Sequence, residues 1–74
     1  MITIYSKDNC PYCDRAKSLL ELKNKQYVEV KIGKDITREN FLELFPTVKT
    51  VPHILDFDGT VIGGYEKLVE ALKA

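Results

Sequence analysis

Seventy-four residues allow one small domain, which buries only about 60% of the surface its extended chain exposes. Hydrophobic residues make up 45%, an ordinary globular share, and eleven basic residues balance eleven acidic ones with no basic block or interleaved aromatic stripe of the kind a nucleic-acid surface carries. Two cysteines are too few for a small secreted disulfide scaffold, no apolar run approaches the roughly 20 residues of a membrane helix, and the alternating start Met1-Ile2-Thr3-Ile4-Tyr5 does not read as a signal peptide. The expectation is a soluble cytoplasmic chain, with 1–74 forming a single domain and no internal repeat.

Ile2, Ile4 and Tyr5 lie in a short β-rich run, predicting a first strand over 2–5. Pro11 suits the first turn of a helix, where its missing N–H costs nothing. Tyr12, Ala16, Leu19, Leu20 and Lys23 follow at helical spacing, so the first helix is expected to run to about residue 23 and close at Asn24-Lys25. Tyr27, Val28 and Val30 form a second strand that fades at Gly33. Thr37 is a good N-cap, with Ile36 and Phe41 spaced as a hydrophobic staple across it. Phe41, Leu44 and Phe45 are expected in the core until Pro46 stops the helix. Ile54, Leu55 and Phe57 predict a third strand, Asp58-Gly59 a two-residue turn, and Val61-Ile62 a fourth strand broken by Gly63-Gly64. Tyr65, Leu68, Val69 and Leu72 repeat at i, i+3, i+4, i+7 as a final amphipathic helix.

The order is β-α-β-α-β-β-α, with a parallel crossover first and a hairpin later. Three amphipathic helices need a sheet to cover, so the fold class is α/β. Both cysteines stand in "SKDNCPYC", between the first strand and the first helix, and a C-x-x-C in a βαβ unit is the thioredoxin-like redox signature.

Residues three apart in a helical turn have Cβ atoms about 5–6 Å apart. That is close to the Cα spacing of roughly 4.4–6.8 Å that a disulfide requires. Cys10 is expected at the N-cap and Cys13 in the first turn. A helix N-terminus carries about half a positive charge and free N–H donors, favouring a thiolate, and Lys7 adds a full charge nearby. Cys10 is therefore expected to be the exposed nucleophile and Cys13 the resolving thiol. A structural staple explains the pair poorly, because so short a loop removes little unfolded-chain entropy. A zinc half-site would need four ligands, and only His53 and carboxylates remain to complete one. His53 itself reads as a structural strand residue.

The stretch "KDNCPYC" resembles the dithiol glutaredoxins of the C-P-Y-C type. "KTVPHI", Lys49 to Ile54, resembles that family's T-V-P segment, in which the proline peptide is cis and faces the cysteines. "GGYE", Gly63 to Glu66, resembles its G-G-x-D turn at the start of the last helix. The compact length, with "GKDITRENFLELFP" before the T-V-P segment, is similar to small bacteriophage and bacterial members. The resemblance covers essentially the whole chain. It implies a thioredoxin-like (glutaredoxin) fold, a four-stranded mixed sheet with three helices, and no metal or bound cofactor.

The resemblance further implies a glutathione-dependent thiol–disulfide oxidoreductase, with Cys10 as nucleophile, Cys13 as resolving cysteine and glutathione as co-substrate. Lys7, Tyr12, Thr50, Val51, Pro52, Gly64 and Glu66 match positions where the family holds glutathione. A γ-Glu-Cys-Gly tripeptide with net negative charge needs cations and N–H donors, which Lys7 and the last helix's N-terminus can supply. Two positions depart from the pattern. Glu66 stands where the family usually has aspartate, followed by Lys67, and either Lys49 or Arg38 takes the place of the arginine or glutamine that touches the glycine carboxylate. Partners implied are disulfide-containing or glutathionylated proteins, ribonucleotide reductase among them, with the chain a monomer that binds neither nucleic acid nor membrane.

Three rival functions use the same residues. A thioredoxin-like carrier would be recharged by a flavoprotein reductase instead of glutathione. An iron–sulfur carrier would share a cluster between two chains and glutathione. Such carriers typically have glycine and a small residue after the first cysteine, whereas Pro11 stiffens that loop and removes a donor. A redox-silent interaction subunit would survive Cys10→Ser unchanged.

Overall fold

The computed structural model describes residues 1–73. Its elements are β1 (Ile2–Ser6), α1 (Pro11–Leu22), β2 (Tyr27–Lys31), α2 (Arg38–Leu44), β3 (His53–Leu55), β4 (Val61–Gly63) and α3 (Tyr65–Lys73). The four strands form one mixed sheet in the order β2-β1-β3-β4. β1 runs parallel to β2 and antiparallel to β3, and β3 is antiparallel to β4. This is the α/β, thioredoxin-like arrangement expected from the sequence.

Strand β1 lies inside the sheet, paired along both edges. Its alternation sends Ile2, Ile4 and Ser6 to one side and Thr3 and Tyr5 to the other. Directly opposed residues of an antiparallel pair share a face. Ile4 pairs with Ile54, and together with Ile2, Ala16 and Leu20 of α1 and Leu68 of α3 they form the buried core. Tyr5 pairs with His53, and on that opposite face Phe41 and Phe45 of the α2 segment close over them. The molecule is a sheet with α1 and α3 on one face and α2 on the other.

Local chemistry sets the element ends. Lys23 caps α1 and Asn24 takes the left-handed conformation at φ 57°. Asn24 N–H then donates to the Glu21 carbonyl at 3.1 Å and Lys25 N–H to the Leu20 carbonyl at 2.8 Å, the paired bonds of a Schellman closure. Thr37 caps α2 as expected, its Oγ1 accepting from Asn40 N–H at 3.0 Å.

Four expectations are corrected. Strand β1 runs one residue further, to Ser6, because the Ser6 carbonyl accepts from Ile32 N–H at 2.8 Å and keeps the strand paired. Leu44 is 59% exposed rather than in the core, since a seven-residue helix turns only its Phe41 side to the sheet. Phe57 is 74% exposed and lies outside β3, which starts earlier, at His53. The hairpin turn is not the two-residue Asp58-Gly59. Gly59 N–H donates to the Asp56 carbonyl at 3.0 Å and Asp56 N–H to the Thr60 carbonyl at 2.8 Å, enclosing Phe57-Asp58-Gly59 as a three-residue loop. Gly59 supplies its left-handed position at φ 89°.

Candidate functional site

Strand β1 ends at Ser6, and the chain continues through Lys7-Asp8-Asn9 before entering α1 at Pro11. The approach is tied to two elements, β2 and α1. The buried Ser6 hydroxyl donates to Glu29 Oε2 of β2 at 2.6 Å, and Lys17 of α1 donates to the same oxygen at 2.9 Å. Lys17 and then Ser6 hold the Glu29 carboxyl below its ordinary range, while the Glu29 bond raises Lys17. Lys31 pairs with Asp8 at 2.9 Å and fixes the outer side of the same loop.

Cys10 is the N-cap of α1, in extended conformation, with Pro11 at the first helical position. Its Sγ accepts from Cys13 N–H at 3.1 Å, and the two cysteines are joined in a disulfide with Cα atoms 5.2 Å apart. The donor that caps the sulfur here belongs to the helix end that favours negative charge. Cys10 keeps 8% of its surface and Cys13 1%. Cys10 is the more open of the two but not exposed, contrary to expectation, because its sulfur is bonded inward and faces the Val51 carbonyl oxygen at 3.8 Å.

The Val51-Pro52 peptide is cis, as the resemblance implies. Val51 and Thr50 line a groove of about 490 Å³ together with Lys7, Lys49 and Arg38, so residues from the β1–α1 loop, α2 and the segment before β3 converge there. Pro52, the residue after Val51, is buried. On the other flank lies Gly64, placed so that a Cβ there would meet the Pro52 carbonyl oxygen at 3.7 Å, an ordinary contact. The neighbouring Gly63 is the more demanding position. Its φ is 120°, and a Cβ there would press on the Lys67 side chain at 3.1 Å. Glu66 stands exposed in the first turn of α3.

Tyr12 does not lie against the core. It is 55% exposed, its ring 5.8 Å from that of Tyr65 at the start of α3, with the Arg15 guanidinium 5.2 Å from its centroid. Neither Arg15 nor Tyr65 figured among the expected site residues. Arg15 was within reach as an i+3 neighbour of Tyr12. Tyr65 was not, because only the packing of α3 against α1 brings it there.

His53 is buried at 5% exposure, in the strand position expected of it, with its ring 4.5 Å from Phe45. Among the described residues no group of three or more His, Cys, Asp or Glu side chains gathers to hold a metal ion, and no helix is long and apolar enough to cross a membrane.

A cysteine pair capping a helix that springs from the central strand of this sheet, opposite a cis proline, defines a thiol–disulfide oxidoreductase of the thioredoxin-like class. The comparisons with known proteins are narrower. Residues 2–62 match the family model described as glutaredoxin. The chain is 40% identical over 68 residues to glutaredoxin 3 of Escherichia coli, covering 90% of this chain and 80% of that protein. It superposes on the crystal structure of Francisella tularensis glutaredoxin 1 complexed with cacodylate with a TM-score of 0.82 at 29% identity, covering 97% of this chain and 91% of that one. It also superposes on a buckwheat glutaredoxin–glutathione complex with a TM-score of 0.78 at 25% identity, covering 97% and 67%. The chain belongs to the glutaredoxin family and is a dithiol member of it.

Proposed function

We propose that this glutaredoxin reduces protein disulfides and glutathione mixed disulfides, with glutathione as its reductant. The observation that carries the reading is the capped sulfur: Cys13 N–H donates to Cys10 Sγ at the positive end of α1. In the dithiol form the same donor meets the Cys10 sulfur and stabilises it as a thiolate. That thiolate attacks a substrate disulfide, forming a Cys10 mixed disulfide and releasing one thiolate. Cys13 then attacks Cys10 Sγ, the second substrate sulfur leaves as a thiolate, and the Cys10–Cys13 disulfide remains. Two glutathione molecules restore the dithiol and leave as glutathione disulfide.

Glutathione's contacts follow from its chemistry. Lys7 meets the glycine carboxylate, with Arg38 and Lys49 lining the same groove. Thr50 and Val51 offer backbone to the cysteinyl unit, and Pro52 holds that backbone facing the sulfur. Tyr12, propped between Arg15 and Tyr65, forms the wall beside the sulfur. Gly64 and Glu66, at the start of α3, receive the γ-glutamyl end, whose carboxylate suits the helix's free N–H groups. A related buckwheat protein has been crystallised with glutathione, which supports the reading. The chain acts as a monomer in the cytoplasm, and ribonucleotide reductase is among its acceptors.

Cys10→Ser is expected to abolish all turnover. Cys13→Ser is expected to retain reduction of a glutathione mixed disulfide and to lose reduction of a protein disulfide. Steady-state kinetics on the two substrates check this, and equal loss in both variants would overturn the division of roles. Running the same assay with glutathione or a flavoprotein reductase as the electron source identifies the reductant.

A further inference from the structure

The groove beside Val51 is larger and more positive than one terminal carboxylate requires. It is an open groove of about 490 Å³. Lys7, Arg38 and Lys49 line it and no acidic residue does, although eleven basic and eleven acidic residues cancel across the chain. Between these cations the lining is apolar, from Leu42, Val48 and Val51. The groove starts at Val51, whose carbonyl oxygen is 3.8 Å from Cys10 Sγ, and extends to α2. A substrate cysteine bonded to Cys10 and lying along Val51 leads its own chain into this space. Glutathione ends one residue after its cysteine and brings one carboxylate with no side chain. A protein substrate continues.

We propose that this groove binds the segment following the reactive cysteine of a protein substrate, and selects segments with an apolar residue followed by carboxylates. The inference rests on the reading above that Cys10 forms the mixed disulfide. The apolar side chain packs on Leu42 and Val48, and the carboxylates meet Arg38 and Lys49. Potentials of opposite sign raise the encounter rate and reject segments of like charge. The redox step is unchanged: two electrons and two protons pass from the Cys10–Cys13 dithiol to the substrate disulfide, giving a substrate dithiol and the protein disulfide.

Three peptides closed by the same internal disulfide test this. They are acetylated, amidated and differ only after the second cysteine, where leucine precedes two aspartates, two asparagines or two lysines. The rate at which each oxidises the reduced protein is measured in a single turnover at low ionic strength. The aspartate peptide is expected to react about 5- to 10-fold faster than the asparagine peptide, and the lysine peptide slowest. That ratio is expected to approach one in roughly 1 M salt, where the screening length falls to about 3 Å. It is also expected to approach one in the Arg38→Gln/Lys49→Gln double variant. Equal rates for the aspartate and asparagine peptides, or a ratio that persists in the double variant, overturn the proposal. A glutathione mixed disulfide of an uncharged thiol, assayed in parallel, separates the two claims. Turnover there with equal peptide rates overturns the groove's selectivity alone, and no turnover there or on any peptide overturns both.

Discussion

His53 follows the cis proline and is sealed between the sheet and the α2 segment, its ring against Phe45, Phe41 and Tyr5. Its Nε2 is buried without a hydrogen-bond partner, and burial holds its pKa below the ordinary 6.5. The folded protein therefore keeps this imidazole neutral, while the unfolded chain takes up a proton below about pH 6.5. The sign follows directly. The contribution is fully present above the unfolded pKa and is lost as pH falls from there through the depressed folded value. Urea midpoints are expected to drop between about pH 7.5 and about pH 5.5, and His53→Leu is expected to flatten that drop. Glu29 runs in the same direction but titrates lower, because Lys17 and Ser6 hold its carboxyl below 4.5. An unchanged slope in His53→Leu would assign the acid sensitivity elsewhere.

At the scale of elements, α2 depends most on its ends. Seven residues are too few for a helix to stand without tertiary support or a cap. Thr37 supplies the cap, and Phe41, at 4% exposure, supplies the anchor. The same helix lends Arg38, Phe41 and Leu42 to the groove, so a loosened α2 disturbs the wall that faces Lys7 and Val51. Thr37→Ala is expected to destabilise the protein by about 1 kcal/mol, and Thr37→Ser to restore most of it. Chemical denaturation of the three proteins checks both. α1 is more robust, capped by Cys10 at one end and by the Asn24-Lys25 closure at the other.

For the whole molecule, one small core joins the cysteine, cis-proline and α3 parts of the site. Ile4 and Ile54 hold β1 to β3, Ala16 and Leu20 hold α1 on that face, and Leu68 holds α3. The cysteine loop, the cis-proline segment and the Gly63-Gly64 turn lead into α1, β3 and α3, so core packing sets their spacing. Leu68→Ala removes a fully buried side chain and is expected to cost about 2–5 kcal/mol, a large part of the roughly 5–15 kcal/mol that holds such a domain folded. Phe57→Ala removes a larger but 74% exposed side chain and is expected to stay within about 0.5 kcal/mol. Thermal denaturation of the pair distinguishes burial from hydrophobicity as the determinant.

Element order, the cap at Cys10, the cap at Thr37 and the reach of Cys13 to Cys10 were all legible in the sequence by itself. Each depends on residues within four positions of one another, where helical and strand periodicity dictates geometry. Leu44 and Phe57 were misread because a short apolar run carries no record of which neighbour covers it. The hairpin loop was misread because an Asp-Gly pair fits a two-residue turn as well as a three-residue loop ending in glycine. Only the tertiary structure decided that Tyr65 meets Tyr12, that Arg38 and Lys49 both line Lys7's groove, and that Gly64 lies beside the Pro52 carbonyl. Those residues are far apart along the chain, and only burial of the shared apolar faces against one sheet brings them together.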